Sequence, residues 1–411
     1  MNLQDKNQAL EGLRGMAALV VVFSHCAWAF FPYLQSGVPA DILTSWGPFI
    51  QNSPLRVLYN GTFSVAIFFV MSGYVLTRRF VAQPGAARLD EAAIKRLPRL
   101  GIPVFASVLL GYAVIKLGLI SDVVPNTRNF LGGWYHINAR TYLALKDALF
   151  GSLLLGHNGY NYILWTINIE FIGSVALFAF MALFGSSRWA GIYAAVCAAA
   201  LVWKGETPYL LGALFLGGAY LHAWRKPPSS ALIRYLLLAV ALVLGGFHTL
   251  SSFYAPLQKL ATWLAAHNFR ADPMFLFPSL GALLLVWLVL HSKTMSAVLS
   301  GRAFAWLGSI SFSLYLIHSF VLSSIGLASF GLLRAPLGYP MAALLASLLT
   351  VMTALGLSVF FRDLVDLPSI RLANRFAKWS LPRPATTALV PVRAADIKPS
   401  DASSEALAKR A

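Results

Sequence analysis

Charge is scarce in this chain. Only 11% of its 411 residues are Asp, Glu, Lys or Arg, against about 25% in soluble globular domains. With 58% hydrophobic residues and a mean hydropathy of +0.68, an ordinary water-soluble fold is excluded. Acids are scarcer than bases, 15 against 32, and the net charge is +17. A balance that basic invites a nucleic-acid reading. The distribution excludes it, because the basic residues fall between apolar runs and in the tail, with no basic stripe of interleaved aromatics. No nucleic-acid partner is expected. Cysteine is nearly absent, and Cys26 and Cys197 both lie inside apolar runs. Neither a disulfide framework nor a thiolate metal site is readable from them, and both suit small residues packed in membrane helices. His136, His157, His222, His248, His267 and His291 show no HExxH or Cys/His spacing, and no G-x-S-x-G elbow or P-loop occurs. No metal is expected. No internal repeat is visible, which counts against an inverted-repeat transporter.

Long apolar runs are what the chain has instead. About ten approach the roughly 20 residues that cross a bilayer: 10–31, 61–82, 100–120, 162–184, 189–203, 208–224, 233–250, 274–292, 304–327 and 340–361. The expected fold is an all-α, polytopic integral membrane protein of about ten transmembrane helices. The first run follows Lys6 and Arg14 without a small-x-small site after it, and reads as a retained signal anchor. An even number of spans places both termini on one side. With the N-terminus inside, eighteen Lys and Arg fall in inside segments and nine outside, so both termini are expected in the cytoplasm. Residues 1–380 form one integral-membrane domain, and 381–411, rich in Pro, Ala and Ser, read as a disordered cytoplasmic tail. The outer segment 121–160 holds Trp134, Tyr135 and His136, then an amphipathic stretch, Thr141–Leu155, that would lie flat at the interface.

Arg14 and His25 are eleven residues apart on the first span. At about 100° per residue that is three turns plus roughly 20°, so both face one way, about 16 Å apart along the axis. Ionisable groups at such depth face the protein interior or a wet cavity. Given the orientation, Glu170 on the fourth span and His318 on the ninth fall at a depth similar to that of His25. Convergence of the three on one cavity is expected. Ser311, Ser313 and Tyr315 near His318 also fit a packing network. A second cluster gathers at the cytoplasmic face: Arg78 and Arg79 end the second span, and Lys95, Arg96 and Arg99 precede the third. With Arg14 they make a phosphate site, since guanidinium forks bind phosphate bidentately. The plainer reading is a topology signal touching anionic lipid.

These segments resemble a known family. LEGLRGMAALVVVFSH at the start, FFVMSGYVL (68–76) with Ser72, KRLPRLGIP (95–103), LWTINIEF (164–171) with Trp165, and SFSLYLIH (311–318) with Tyr315 follow in order. Together they are similar to membrane acyltransferase family three, the bacterial integral-membrane O-acyltransferases of envelope glycans and related acceptors. Phe171 stands where many members carry a second carboxylate, and Pro98 alters the arginine segment. The resemblance implies acyl transfer, acetyl first, from cytoplasmic acyl-coenzyme A to a carbohydrate hydroxyl at the bacterial inner membrane. Arg14, Arg78, Arg79, Arg96 and Arg99 would hold the coenzyme, His25 would be catalytic as a general base or a transient acyl carrier, Glu170 would orient its ring, and His318, Tyr315, Ser72 and Trp165 would support them. Two rivals stand beside it: a proton-coupled permease using the same His and Glu as a relay, and a non-catalytic partner in polysaccharide assembly.

Overall fold

The computed structural model describes residues 3–82, 89–126, 128, 134–224 and 226–381. Among them every regular element is helical. The apolar segments fall on ten helices: α1 (Leu3–Phe30), α2 (Gly61–Ala82), α3 (Leu89–Lys116), α4 (Leu164–Phe184), α5 (Ala190–Lys204), α6 (Thr207–Tyr220), α7 (Ala231–Gly245), α8 (Pro273–His291), α9 (Arg302–Val321) and α10 (Leu327–Phe361). An eleventh, α11 (Leu367–Ser380), follows a π-helical turn at Arg362–Asp366. The stretch expected as a tail from residue 381 lies almost wholly outside the described residues, and Gly132 and Gly133 lie outside them too.

By length and composition, six helical runs among the described residues can cross a membrane, and the last of these, Arg302–Ser380, is continuous by assignment but broken in fact. Gly338 has φ +72° and ψ 169°, which no helical residue adopts, and Pro336 and Pro340 flank it. Two apolar helices therefore meet there at a sharp bend. The expected boundary at residue 327 is ten residues too early, since nothing between Leu327 and Pro336 breaks a helix. The shorter α5 and α7 hold 15 residues each. The expected run 233–250 also shortens, because α7 stops at Gly245 and His248 folds into the loops beyond.

The opposite correction applies to α3. It begins at Leu89 rather than at residue 100 and runs through Pro98 and Pro103. Asp90 and Glu91 in its first turn favour that start, opposing the positive end of the helix dipole. The continuous helix carries Arg96 and Arg99 into the packed bundle as neighbours one turn apart.

The first helix is the hub. Ala18, Val22 and Cys26 of α1 join a core built largely from α3, α4, α9 and α10, while Leu10, Leu13 and Ala17 join one built from α2, α6 and α8. It lies against α9 with almost no side chain between them. A Cβ on Gly15 would come within 2.5 Å of Gly308 N, and one on Gly308 within 2.3 Å of Glu11 O. Small residues allow such backbone approach where lipid supplies no hydrophobic drive between helices.

Candidate functional site

The close contact of α1 with α9 sets the register of everything above it. The two helices run parallel, Arg14 meeting Ser311 low down and His25 meeting His318 higher up. His25 and His318 each lie ten positions beyond the touching glycines, Gly15 and Gly308. Ten residues rise about 15 Å on either helix, so the rings arrive at one depth. Their centroids are 5.0 Å apart with an interplanar angle of 18°. His25 Nδ1 lies 2.8 Å from His318 Nε2.

That geometry fixes the tautomers. His318 Nδ1 faces the carbonyl oxygens of Tyr315 at 2.8 Å and Leu314 at 3.0 Å. Carbonyls only accept, so Nδ1 carries the proton and, in the neutral ring, Nε2 carries the lone pair. His25 Nδ1–H then donates to His318 Nε2, which leaves the lone pair of His25 on Nε2. His318 is fully buried and His25 is only half-buried, with Tyr162 edge-on to it at 5.4 Å. The orienting partner of His25 is thus His318, not Glu170 as the sequence led us to expect.

Glu170 is taken by other groups. Its Oε1 accepts from Ser72 Oγ at 2.8 Å and forms an ion pair with Arg96. Arg96 Nε also donates to Ser174 Oγ at 2.9 Å. An unpaired carboxylate in a bundle is costly, and the early start of α3 brings a guanidinium to its depth. The side chains of both partners are 13% exposed.

Arg14, Arg96, Arg99, Glu170, Ser72 and Tyr315 line one cavity of about 230 Å³ between α1, α2, α3, α4 and α9. Its basic end holds three guanidiniums, each with its own carboxylate: Arg14 with Glu11, Arg96 with Glu170, and Arg99 with Asp366. Local charge is therefore balanced rather than strongly positive. The Arg14–Glu11 pair, with side chains 39% and 46% exposed, is the one a passing anion exchanges most readily. The other end is apolar, with Phe68 and Ile167, and closes at Thr166 and Tyr315, whose hydroxyls lie 2.6 Å apart. The Tyr315 ring lies 6.0 Å from that of His318, so the cavity ends directly below the histidine pair.

Not every expected residue comes to this place. Trp165 packs into the core shared by α2 and α6 and does not line the cavity, because its step around α4 turns it away from Glu170 and Thr166. Arg78 sits a turn past Tyr74 near the end of α2, beyond the lining, and the Arg79 side chain lies outside the described residues. Sequence reasoning missed Glu11, Thr166 and Asp366, and read Ser311 only as part of a packing network. The Glu11-x-x-Arg14 spacing of an i,i+3 pair was there to be seen; Asp366, 267 positions from Arg99, gave no local signal.

The end of the bundle opposite Arg14 carries a separate polar cluster. Arg56, 2% exposed, donates to Phe247 O at 2.6 Å. His248, also 2% exposed, has Nε2 2.9 Å from Gln35 O, and its Nδ1 accepts from the Leu250 N–H at 3.0 Å and the Gln51 amide at 3.1 Å. These bonds tie the loops after α1 and α7 together as a cap.

Comparison with known proteins adds independent information. A model of the acyltransferase-3 family, described as an acyltransferase domain, matches residues 7–359. The chain is similar to O-acetyltransferase PaAT-1 of Phomopsis amygdali, 25% identical over 436 aligned positions that cover 91% of this chain and 84% of that protein. No solved structure matches it.

Proposed function

Because the chain belongs to the acyltransferase-3 family, we propose that it moves an acyl group, acetyl first, from acyl-coenzyme A to a hydroxyl of an envelope or exported carbohydrate, within a membrane that it crosses ten times with both termini cytoplasmic. The bacterial inner membrane is the proposed location, and residues 1–380 the working domain. One observation carries the reading: a cavity with guanidiniums at one end stops at Tyr315 and Thr166, directly under the His25–His318 pair.

The donor fits the lining in kind. Its phosphates would stay at the basic mouth, where Arg14 exchanges Glu11 for a phosphate oxygen while Arg96 and Arg99 keep their buried carboxylates. A slender, mostly apolar arm suits the apolar lining beyond, and the roughly 16 Å from Arg14 to His25 suits its length. His25 Nε2 would take the proton of the acceptor hydroxyl. The oxygen then attacks the thioester carbonyl, the carbon–sulfur bond breaks, and the leaving thiolate recovers the proton from His25. His318 Nε2 would hold the other side of the ring throughout, keeping the productive tautomer as a positioning residue. Glu170 supports the site through Arg96 and Ser72 rather than through the imidazole.

The test is the mass of the host's envelope glycans with and without the protein. An acyl mass difference that disappears with the gene and returns with it supports the reading. Unchanged glycans alongside altered solute uptake would instead restore the permease reading.

A further inference from the structure

The family match ends at residue 359, yet the chain folds on into α11. That helix divides into three stripes. Ser369, Ala373 and Ala377 recur at i, i+4 and i+8 and are buried against α3, where Arg99 pairs with Asp366 and donates to Ser369 Oγ at 3.2 Å. One position back, about 100° round the helix, run Leu372, Phe376 and Trp379, which are 48%, 45% and 82% exposed. One position back again run Arg371, Arg375 and Lys378, all exposed. The apolar stripe thus lies between the protein-facing stripe and a wholly basic one.

We propose that α11 is a lipid-docking helix that lays Leu372, Phe376 and Trp379 into the leaflet at the Arg14 end of the bundle and sets Arg371, Arg375 and Lys378 among anionic headgroups. Three large apolar side chains in one row are unfavourable in water, and no described part of the chain covers them. A bilayer interface accepts such a row together with an adjacent cationic edge. A second copy of the chain is the poorer occupant, since its own three cations would be drawn to the same seam. The level is right: Arg362, at the turn before α11, donates to Ser309 Oγ at 3.1 Å, within a turn of the Arg14–Ser311 contact. Docking also has a consequence for the cavity. Asp366, in the turn that leads into this helix, and Ser369, in its first turn, hold Arg99, which lines the basic mouth. Nothing in this inference needs the acyl-transfer reading; it needs only that the bundle lies in a membrane.

The experiment places a bimane label at Phe376→Cys in the full-length Cys197→Ser protein, in nanodiscs of equimolar phosphatidylcholine and phosphatidylglycerol. Either one lipid or the other is brominated. Both brominated lipids should quench the label, the phosphatidylglycerol at least about twofold more. Arg371→Glu, Arg375→Glu and Lys378→Glu together should abolish that preference while quenching persists. No quenching by either lipid would place the helix off the bilayer, and equal quenching by both would remove the anionic selection. Either result overturns the proposal.

Discussion

His25 Nδ1 and His318 Nε2 lie 2.8 Å apart, and the carbonyls behind His318 decide which ring donates. A hydrolase triad places a carboxylate in that position; in the proposed mechanism an imidazole braced on its own helix backbone takes its place. Glutamine can offer an oxygen near the place of His318 Nε2, and leucine cannot. His318→Leu should therefore cost about a hundredfold in turnover, with the donor KM little changed. His318→Gln should stay within about tenfold of wild type. Equal losses in the two variants would mean that the residue serves packing alone.

Arg14 makes the only one of the three arginine–carboxylate pairs at the cavity with both side chains more than a third exposed. Arg14→Ala should raise the KM for acyl-coenzyme A about tenfold, the loss of one charge-assisted contact, and leave kcat nearly unchanged. A dependence on donor concentration that does not move would remove the phosphate role from this residue.

Glu170 and Arg96 form a largely buried pair, each side chain 13% exposed, so removing one partner strands the other. Glu170→Gln should lower stability by about 3 kcal/mol or more, read as an earlier thermal transition in detergent. The double variant Glu170→Gln with Arg96→Gln should recover part of that loss. If Glu170→Gln lost activity while the transition stayed in place, the carboxylate would belong to the chemistry after all.

Depth was partly legible in the sequence, and the neighbour that each helix face meets was not. The spacing of Arg14 and His25 fixed their common face, and counting spans put His318 level with His25. Glu170 was placed too high: it pairs with Arg96 at the basic end of the cavity, a turn below Thr166, and not level with the histidines. Its partner was misassigned because the sequence does not say which neighbour each helix face meets, and because α3 starts eleven residues earlier than its apolar run implies. That early start delivers Arg96 to Glu170, and electrostatics settles the rest. Asp366 was invisible for a different reason: its contact with Arg99 closes a loop of 267 residues. The stripes of α11 were readable at helical period, but beside the last apolar run they passed for a topology signal.

His248 gives the loop cap opposite Arg14 a pH dependence. Burial, with the nearby Arg56 cation, pushes its pKa down to about 4 from 6.5. Two donors already point at Nδ1, so the folded state resists the second proton that the unfolded chain accepts. Stability from this group is complete above about pH 6.5 and falls as the pH drops towards 4, by up to about 3 kcal/mol. Thermal transitions between pH 7 and pH 4.5 should fall less in His248→Gln than in wild type. Parallel decline in both would show that His248 carries none of the effect.

The account stands on the lone pair of His25. Cells that make matched amounts of wild type and His25→Ala, with equal thermal transitions for the two purified proteins, should differ in one quantity, the acyl content of their envelope glycans. The expected result is acylation at wild type's level and, in His25→Ala, a rate at least a hundredfold lower, the order of effect of removing a general base. Acylation by His25→Ala at close to the wild-type rate would contradict the mechanism outright.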